Sequence, residues 1–226
     1  MTKPTKIKIC GVTRPDDATL IATAGVDFIG LNFWPGSKRY LTIERAQAVA
    51  AAVRAAGAAQ LVGVFVNAEL EDIAAITREV ALDVLQLHGD ETREDVLAVA
   101  RSTGRAVWKA IAVGRPSDLD RLDVWPVDAI LLDAPTANRG GAGKVFDWSL
   151  VRNARRAYPA RRFVLAGGLN PHNVGTAISE VAPWTVDVAS GVESAPGIKD
   201  AAKVAAFIAE VRLHDPAPAP AREPEH

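Results

Sequence analysis

Eight short runs of Val, Ile and Leu recur along the chain at intervals of roughly 20–35 residues, about the length of one strand–helix unit. They are IKIC from Ile7, DFIGLNF from Asp27, LVGVFV from Leu61, DVLQLH from Asp83, AVWKAI from Ala106, DAILLD from Asp128, RFVLAG from Arg162 and TVDVAS from Thr185. Their nearly continuous apolarity is that of strands covered on both faces, as in a parallel sheet. The stretches between them carry helical punctuation. Thr42 is an N-cap ahead of an apolar stripe of Ile43, Ala46, Val49 and Val53, with Gly57 as the stop. Pro15 and Asp16 open the first helix and Gly25 closes it; Asn170 and Pro171 open a helix over 171–181. Helices are also predicted over 69–80, 92–102, 147–157 and 199–213, with a short polar one over 115–124. Eight such pairs in 226 residues point to an α/β protein with a single (β/α)8 TIM barrel over residues 1–213. An open doubly wound sheet would show GxGxxG after its first strand, and Cys10-Gly11-Val12-Thr13 is not that. Residues 214–226, HDPAPAPAREPEH, are proline-rich with no apolar face and read as a disordered tail.

Composition excludes several classes of function. Lys+Arg 26 against Asp+Glu 27 leaves no basic excess for a phosphate backbone, so no nucleic-acid partner is expected. No apolar run approaches the roughly 18 residues that span a bilayer, and MTKPTKIKIC lacks the apolar core of a secretory signal. A single cysteine makes neither an intramolecular disulfide nor a multi-cysteine metal cage, so a cytoplasmic protein is expected.

In a barrel of this kind the chemistry lies at the C-terminal ends of the strands. Gly167-Gly168 after the seventh strand and Ser190-Gly191 after the eighth are the pattern of a phosphate pocket, although the same glycines also make tight turns. Cys10 ends the first strand, either as a small buried hydrophobe or as a thiolate base. Asp133 ends the sixth, either as a cap for loop amides or as an acid; the loop that follows holds Gly140, Gly141 and Gly143. Arg39 in SKRY is either a surface residue or a bidentate clamp for a carboxylate. His88 and His172 read as structural or surface residues, and no motif suggests a metal.

In chain order, KIKICGVTRPDDA, GLNFWPGSKRY, LVGVFVN, LQLHGDE, LLDA with GGAGKVFDW, LAGGLNPHNV and VDVASGVESAPGIKD span roughly residues 6–200. This ordered set resembles the phosphoribosylanthranilate isomerases of tryptophan biosynthesis. The resemblance implies a barrel that performs an Amadori rearrangement on N-(5-phosphoribosyl)anthranilate as its small-molecule substrate, with no metal or organic cofactor, as a monomer or homodimer. It implies Cys10 as general base, Asp133 as general acid and Arg39 as the contact to the anthranilate carboxylate. Gly167, Gly168, Ser190 and Gly191 are implied to form the phosphate site. Trp34 stands where the family often has Tyr, and Ala166 and Ala189 where it has Ser; the two alanines put side-chain hydroxyls at the phosphate in question, not the backbone. Three other readings compete. A ribulose-phosphate epimerase would want metal-ligating His and Asp at several strand ends. A tryptophan synthase α subunit would want an acidic dyad where Asn32 and Asn67 stand. A non-catalytic sensor of phosphoribosyl ligands would need neither Cys10 nor Asp133.

Overall fold

The computed structural model describes residues 4–134 and 147–215. Eight parallel strands close on themselves in chain order: β1 (Lys6–Cys10), β2 (Phe28–Asn32), β3 (Gln60–Phe65), β4 (Val84–Leu87), β5 (Ala106–Ala112), β6 (Ala129–Asp133), β7 (Phe163–Leu165) and β8 (Thr185–Val188). The seam is the β1–β8 pairing, in which Lys8 lies opposite Asp187. A two-stranded hairpin, β9 (Glu193–Ala195) and β10 (Ile198–Lys199), follows the eighth strand. Among the described residues the sleeve holds seven α-helices: α1 (Pro15–Thr23), α2 (Ile43–Ala56), α3 (Leu70–Val80), α4 (Arg93–Thr103), α5 (Trp148–Ala157), α6 (Val174–Val181) and α7 (Ala201–Leu213). None is long and apolar enough to cross a membrane.

Local chemistry sets these boundaries. Thr92 caps α4 in a reciprocal box with Asp95, and Thr42 accepts from the Arg45 amide at the start of α2. Three expectations change. The helix over 115–124 is instead two 3-10 turns, Pro116–Leu119 and Leu122–Val124, broken by Arg121 in the left-handed region. Only Leu119 and Leu122 are buried there, too short a stripe to hold a full helix on the sheet. The sixth helix starts at Val174, because Asn170 and Asn173 fold the preceding residues into side-chain-bonded turns: Asn170 Oδ1 accepts from the His172 amide and Asn173 Oδ1 from the Asn170 amide. His214 and Asp215, assigned to the tail by their composition, belong to the folded body. The His214 ring packs against Gly175, and Asp215 accepts from the Thr5 amide at 2.7 Å. The rest of the tail (216–226), residues 1–3, and Gly140, Gly141 and Gly143 of the sixth loop lie outside the described residues.

Two apolar cores follow from strand alternation. The outer one fills the space between strands and helices, with Ile7, Ile9, Ile29, Leu31, Leu85 and Leu132 from the wall against Ile21, Val49, Val53, Val96 and Phe207 from the helices. Each such side chain contributes about 1.5–3 kcal/mol by leaving water. The inner core is smaller, and Phe28, Val62, Val84, Trp108, Leu131 and Val164 fill the barrel itself. At the N-terminal end Phe28, Trp108 and Trp184 meet edge-to-face with centroids 4.9–5.8 Å apart. Lys6 lies over Phe28 and Trp184, and Arg162 over Trp184.

Candidate functional site

Followed two residues at a time toward the C-terminal end, the inward face of each strand changes character. Lys8 leads to Cys10, Phe28 to Gly30 and Asn32, Val84 to Gln86 and His88, Leu131 to Asp133, Val164 to Ala166, and Thr185 to Asp187 and Ala189. The last members of these series line a single cavity of about 220 Å³ together with Gly167, Gly168 and Ser190. The period of two thus gathers polar groups at one mouth while the layer beneath stays apolar.

The cavity brings together Cys10, Asp133, Gly167, Gly168 and Ser190. Asp133 accepts from its neighbour's amide, Ala134, at 2.8 Å, and its other oxygen lies 3.4 Å from His88 Nε2. The second ring nitrogen of His88, Nδ1, is 2.8 Å from the Gln86 amide nitrogen. A Gln86 donor there leaves the proton of a neutral His88 on Nε2, facing the carboxyl. Gln86 Oε1 is buried with no partner among the described residues. His88 is therefore a cavity residue rather than the structural or surface one its sequence context suggested.

Gly167 and Gly168 both take positive φ, 85° and 71°. A side chain at Gly167 would meet the Ala134 amide at 2.6 Å and Asp133 Oδ1 at 3.0 Å, so only glycine lets loop seven close against the sixth strand end. Ser190 opens a 3-10 turn, Ser190–Val192, whose leading N–H groups have no acceptor within the turn. Gly191 stands behind the lining, where a Cβ would sit 2.0 Å from the Leu169 carbonyl oxygen. Its smallness packs loop eight on loop seven.

Arg39 is at the rim, outside the lining, and its side chain crosses the Gly11 backbone next to Cys10. Its Nε and Nη2 donate to the two oxygens of Glu193 at 2.7 and 2.5 Å. Among the described residues only these two of its five N–H donors are taken, which leaves the Nη1–Nη2 edge for another planar anion. The Glu193 hydrogen bond holds the guanidinium pKa above its ordinary value. Lys199 Nζ, from β10, donates to the carbonyls of Cys10 (2.6 Å) and Ala189 (3.2 Å) and to Glu193 Oε1 (2.9 Å). The hairpin is thereby pinned to the ends of both seam strands.

Beneath Cys10 lies a group the sequence reading missed. The Lys8 side chain is 0% exposed, and its Nζ is 3.0 Å from each oxygen of Asp187. A lysine between two isoleucines in KIKIC and an aspartate between two valines in TVDVAS were the available signals. Counting back two residues from Cys10 puts Lys8 on its face, and only the seam pairing puts Asp187 beside it. Burial pushes the Cys10 thiol up, against the pull of Lys8, while Asp187 adds to the rise. On the far side, Lys109 is held by the Gly89 carbonyl and Glu91 at 2.7 and 2.8 Å, and Glu91 also accepts from the Asn67 and Gly89 amides. That buried network clasps the loop that follows His88.

A family model described as N-(5'phosphoribosyl)anthranilate (PRA) isomerase matches residues 7–210. The chain is 46% identical to the N-(5'-phosphoribosyl)anthranilate isomerase of Azotobacter vinelandii, over 91% of this chain and 96% of that protein. The crystal structure of phosphoribosyl anthranilate isomerase from Thermotoga maritima matches with a TM-score of 0.85 and 40% identity, covering 92% of this chain and 99% of that one. A phosphoribosyl anthranilate isomerase in complex with reduced 1-(o-carboxyphenylamino)-1-deoxyribulose 5-phosphate matches with a TM-score of 0.81 and 38% identity over the same shares.

Proposed function

The chain belongs to the N-(5'-phosphoribosyl)anthranilate isomerase family, and from that membership we infer the reaction and the parts its residues play in it. The protein is an isomerase of tryptophan biosynthesis, converting N-(5-phosphoribosyl)anthranilate into 1-(2-carboxyphenylamino)-1-deoxyribulose 5-phosphate. Asp133 protonates the furanose ring oxygen as the C1′–O bond breaks, leaving an open-chain iminium. The Cys10 thiolate then takes the proton from C2′, and the electron pair moves to the iminium nitrogen to give an enolamine. Proton return at C1′ and loss of the hydroxyl proton complete the ketone. Each of the two proton transfers is worth about 10²–10⁴ in rate.

The observation that carries this reading is the meeting of one thiol and one carboxyl at the same cavity, beside a glycine-rich wall. Gly167, Gly168 and Ser190 offer backbone to the phosphate, with Gly191 supporting the turn behind them. Phosphate held there fixes the far end of the substrate, so that remote binding orients C1′ and C2′ between acid and base. Arg39 takes the anthranilate carboxylate on its Nη1–Nη2 edge while Glu193 holds the other edge. His88, hydrogen-bonded on one side by Gln86, presents Nε2 to Asp133 and fixes the direction in which the carboxyl faces. The setting we infer is the cytoplasm, and the working unit a monomer or homodimer.

The test is the decay of fluorescence of freshly made phosphoribosylanthranilate with the purified chain, run beside Asp133→Asn and Cys10→Ala. Turnover by the parent and its collapse in both variants is the expected result. Near-parental rates in both would remove these residues from the chemistry.

A further inference from the structure

We propose that Lys8 is the positioning residue that makes Cys10 a base: its buried ammonium, anchored by Asp187, is the counter-charge of the Cys10 thiolate. This rests on the reading of Cys10 as general base.

The argument begins with donors. An ammonium has three N–H groups. Lys199, the other lysine near Cys10, spends its three on two carbonyls and Glu193. Lys8 spends two on the Asp187 oxygens, which leaves its third for the Cys10 side chain two residues along the same face. The space for this contact comes from Gly30 on the neighbouring strand. A Cβ there would lie 2.7 Å from Cys10 Sγ and 3.2 Å from Lys8 Nζ, so both atoms face one hole that any other residue would fill.

Charge counting leads to the same place. The groups around Cys10 on its own side are Lys8 of β1, Asp187 of β8, Glu193 of β9, Lys199 of β10 and Arg39 of the loop after β2. Asp133 and His88 face it across the cavity. The near cluster holds three cations and two carboxylates, and is one anion short. Uncompensated charge is costly in a buried site. In the unliganded site a thiolate on Cys10 balances the set, before the substrate's carboxylate reaches the open edge of Arg39. Asp187 has two opposed effects: it holds the lysine in place, and its own charge disfavours the thiolate.

Because Cys10 is the chain's one cysteine, alkylation of the full-length protein by iodoacetamide reports on this thiol alone. Its rate follows the thiolate fraction and so traces a titration curve without reference to turnover. In Lys8→Met the midpoint is expected to move up by roughly one pH unit, about a tenfold slower alkylation at fixed neutral pH. Lys8→Arg restores most of the difference. In Asp187→Asn the midpoint moves down, the opposite of what general loosening of the site would give. At fixed neutral pH, kcat/KM of Lys8→Met falls in step with its alkylation rate. A parental midpoint in folded Lys8→Met overturns the proposal. If that variant does not fold, Lys8→Gln, which keeps a hydrogen-bond donor for Asp187 without the charge, decides, and a parental midpoint there overturns it equally. Midpoints that shift as expected, alongside a Cys10→Ala protein of full activity, would leave the Lys8–thiolate contact standing and remove Cys10 from the reaction.

Discussion

The two ends of the barrel are built from the same eight strands and do opposite things with them. At the N-terminal end three aromatic rings fill the interior, and Lys6 and Arg162 cover them with their charges turned outward. At the C-terminal end the interior positions pass to Cys10, Asn32, Gln86, Asp133 and Asp187, and a cavity remains. Cations lie at both ends, but with different partners. Below, they rest on ring faces and stay partly in water; above, Lys8 and Lys199 are buried against carboxylates and carbonyls. One end gains stability by excluding water from apolar surface. The other carries desolvated charge that only a complete set of partners makes tolerable. A residue's height along its strand therefore says more about its role than its chemical type does.

The sharpest way to break this division is to compare one substitution from each end. Asp133→Asn is expected to lower kcat by about 10²–10⁴ with little change in the thermal midpoint, read by substrate fluorescence and calorimetry. Trp108→Ala should cost about 3–5 kcal/mol in denaturant unfolding, because it empties the inner core, while each folded molecule keeps its turnover. A large loss of kcat in folded Trp108→Ala would show that the two ends are not separable. Next in size is the pH response of the parent. Burial holds the Cys10 thiol above its ordinary range, so its alkylation by iodoacetamide should quicken nearly tenfold per pH unit from about 6 toward 9. A flat alkylation profile across that interval would show a thiol already ionised at its lower end, and would overturn that expectation. Arg39→Ala should raise KM by about tenfold, the worth of one charge-assisted contact, with a smaller effect on kcat.

The smallest effect concerns Glu193. Burial pushes its carboxyl up, but Arg39 and Lys199 outweigh that and hold it below the ordinary glutamate value. A depressed carboxylate stabilises the folded state above its unfolded pKa and ceases to do so as pH falls through the folded one. Glu193→Gln should therefore flatten the loss of stability at acid pH, below the usual glutamate range near 4.5. It should leave the N-terminal end, followed by hydrogen exchange at the Trp108 and Trp184 amides, unchanged.

Most of the architecture was legible because each strand is an apolar run and each crossover has its own cap and stop. Legibility failed where local chemistry outweighed pattern. Pro116 and Arg121 break a crossover whose only buried anchors are Leu119 and Leu122, and Asn170 and Asn173 consume the residues that looked like the first turn of α6. In the site, Cys10 and Asp133 could be found because each closes a strand. Lys8 and Asp187 could not be paired, since they meet only through the register of the first strand with the last. His88 shows a third kind of failure. A histidine after an apolar strand is ordinary, and what distinguishes this one is Gln86 two residues earlier on the same face, visible only to a reading that follows alternate residues up every strand at once.

The Lys8–Asp187 contact joins positions 179 residues apart, across the junction that turns a sheet into a ring. A nascent chain with seven strands assembled already has its sulfur, but lacks the carboxylate that holds the lysine toward it. Chemical competence and topological closure thus arrive in one event, and a polypeptide caught short of it displays an unremarkable mercaptan.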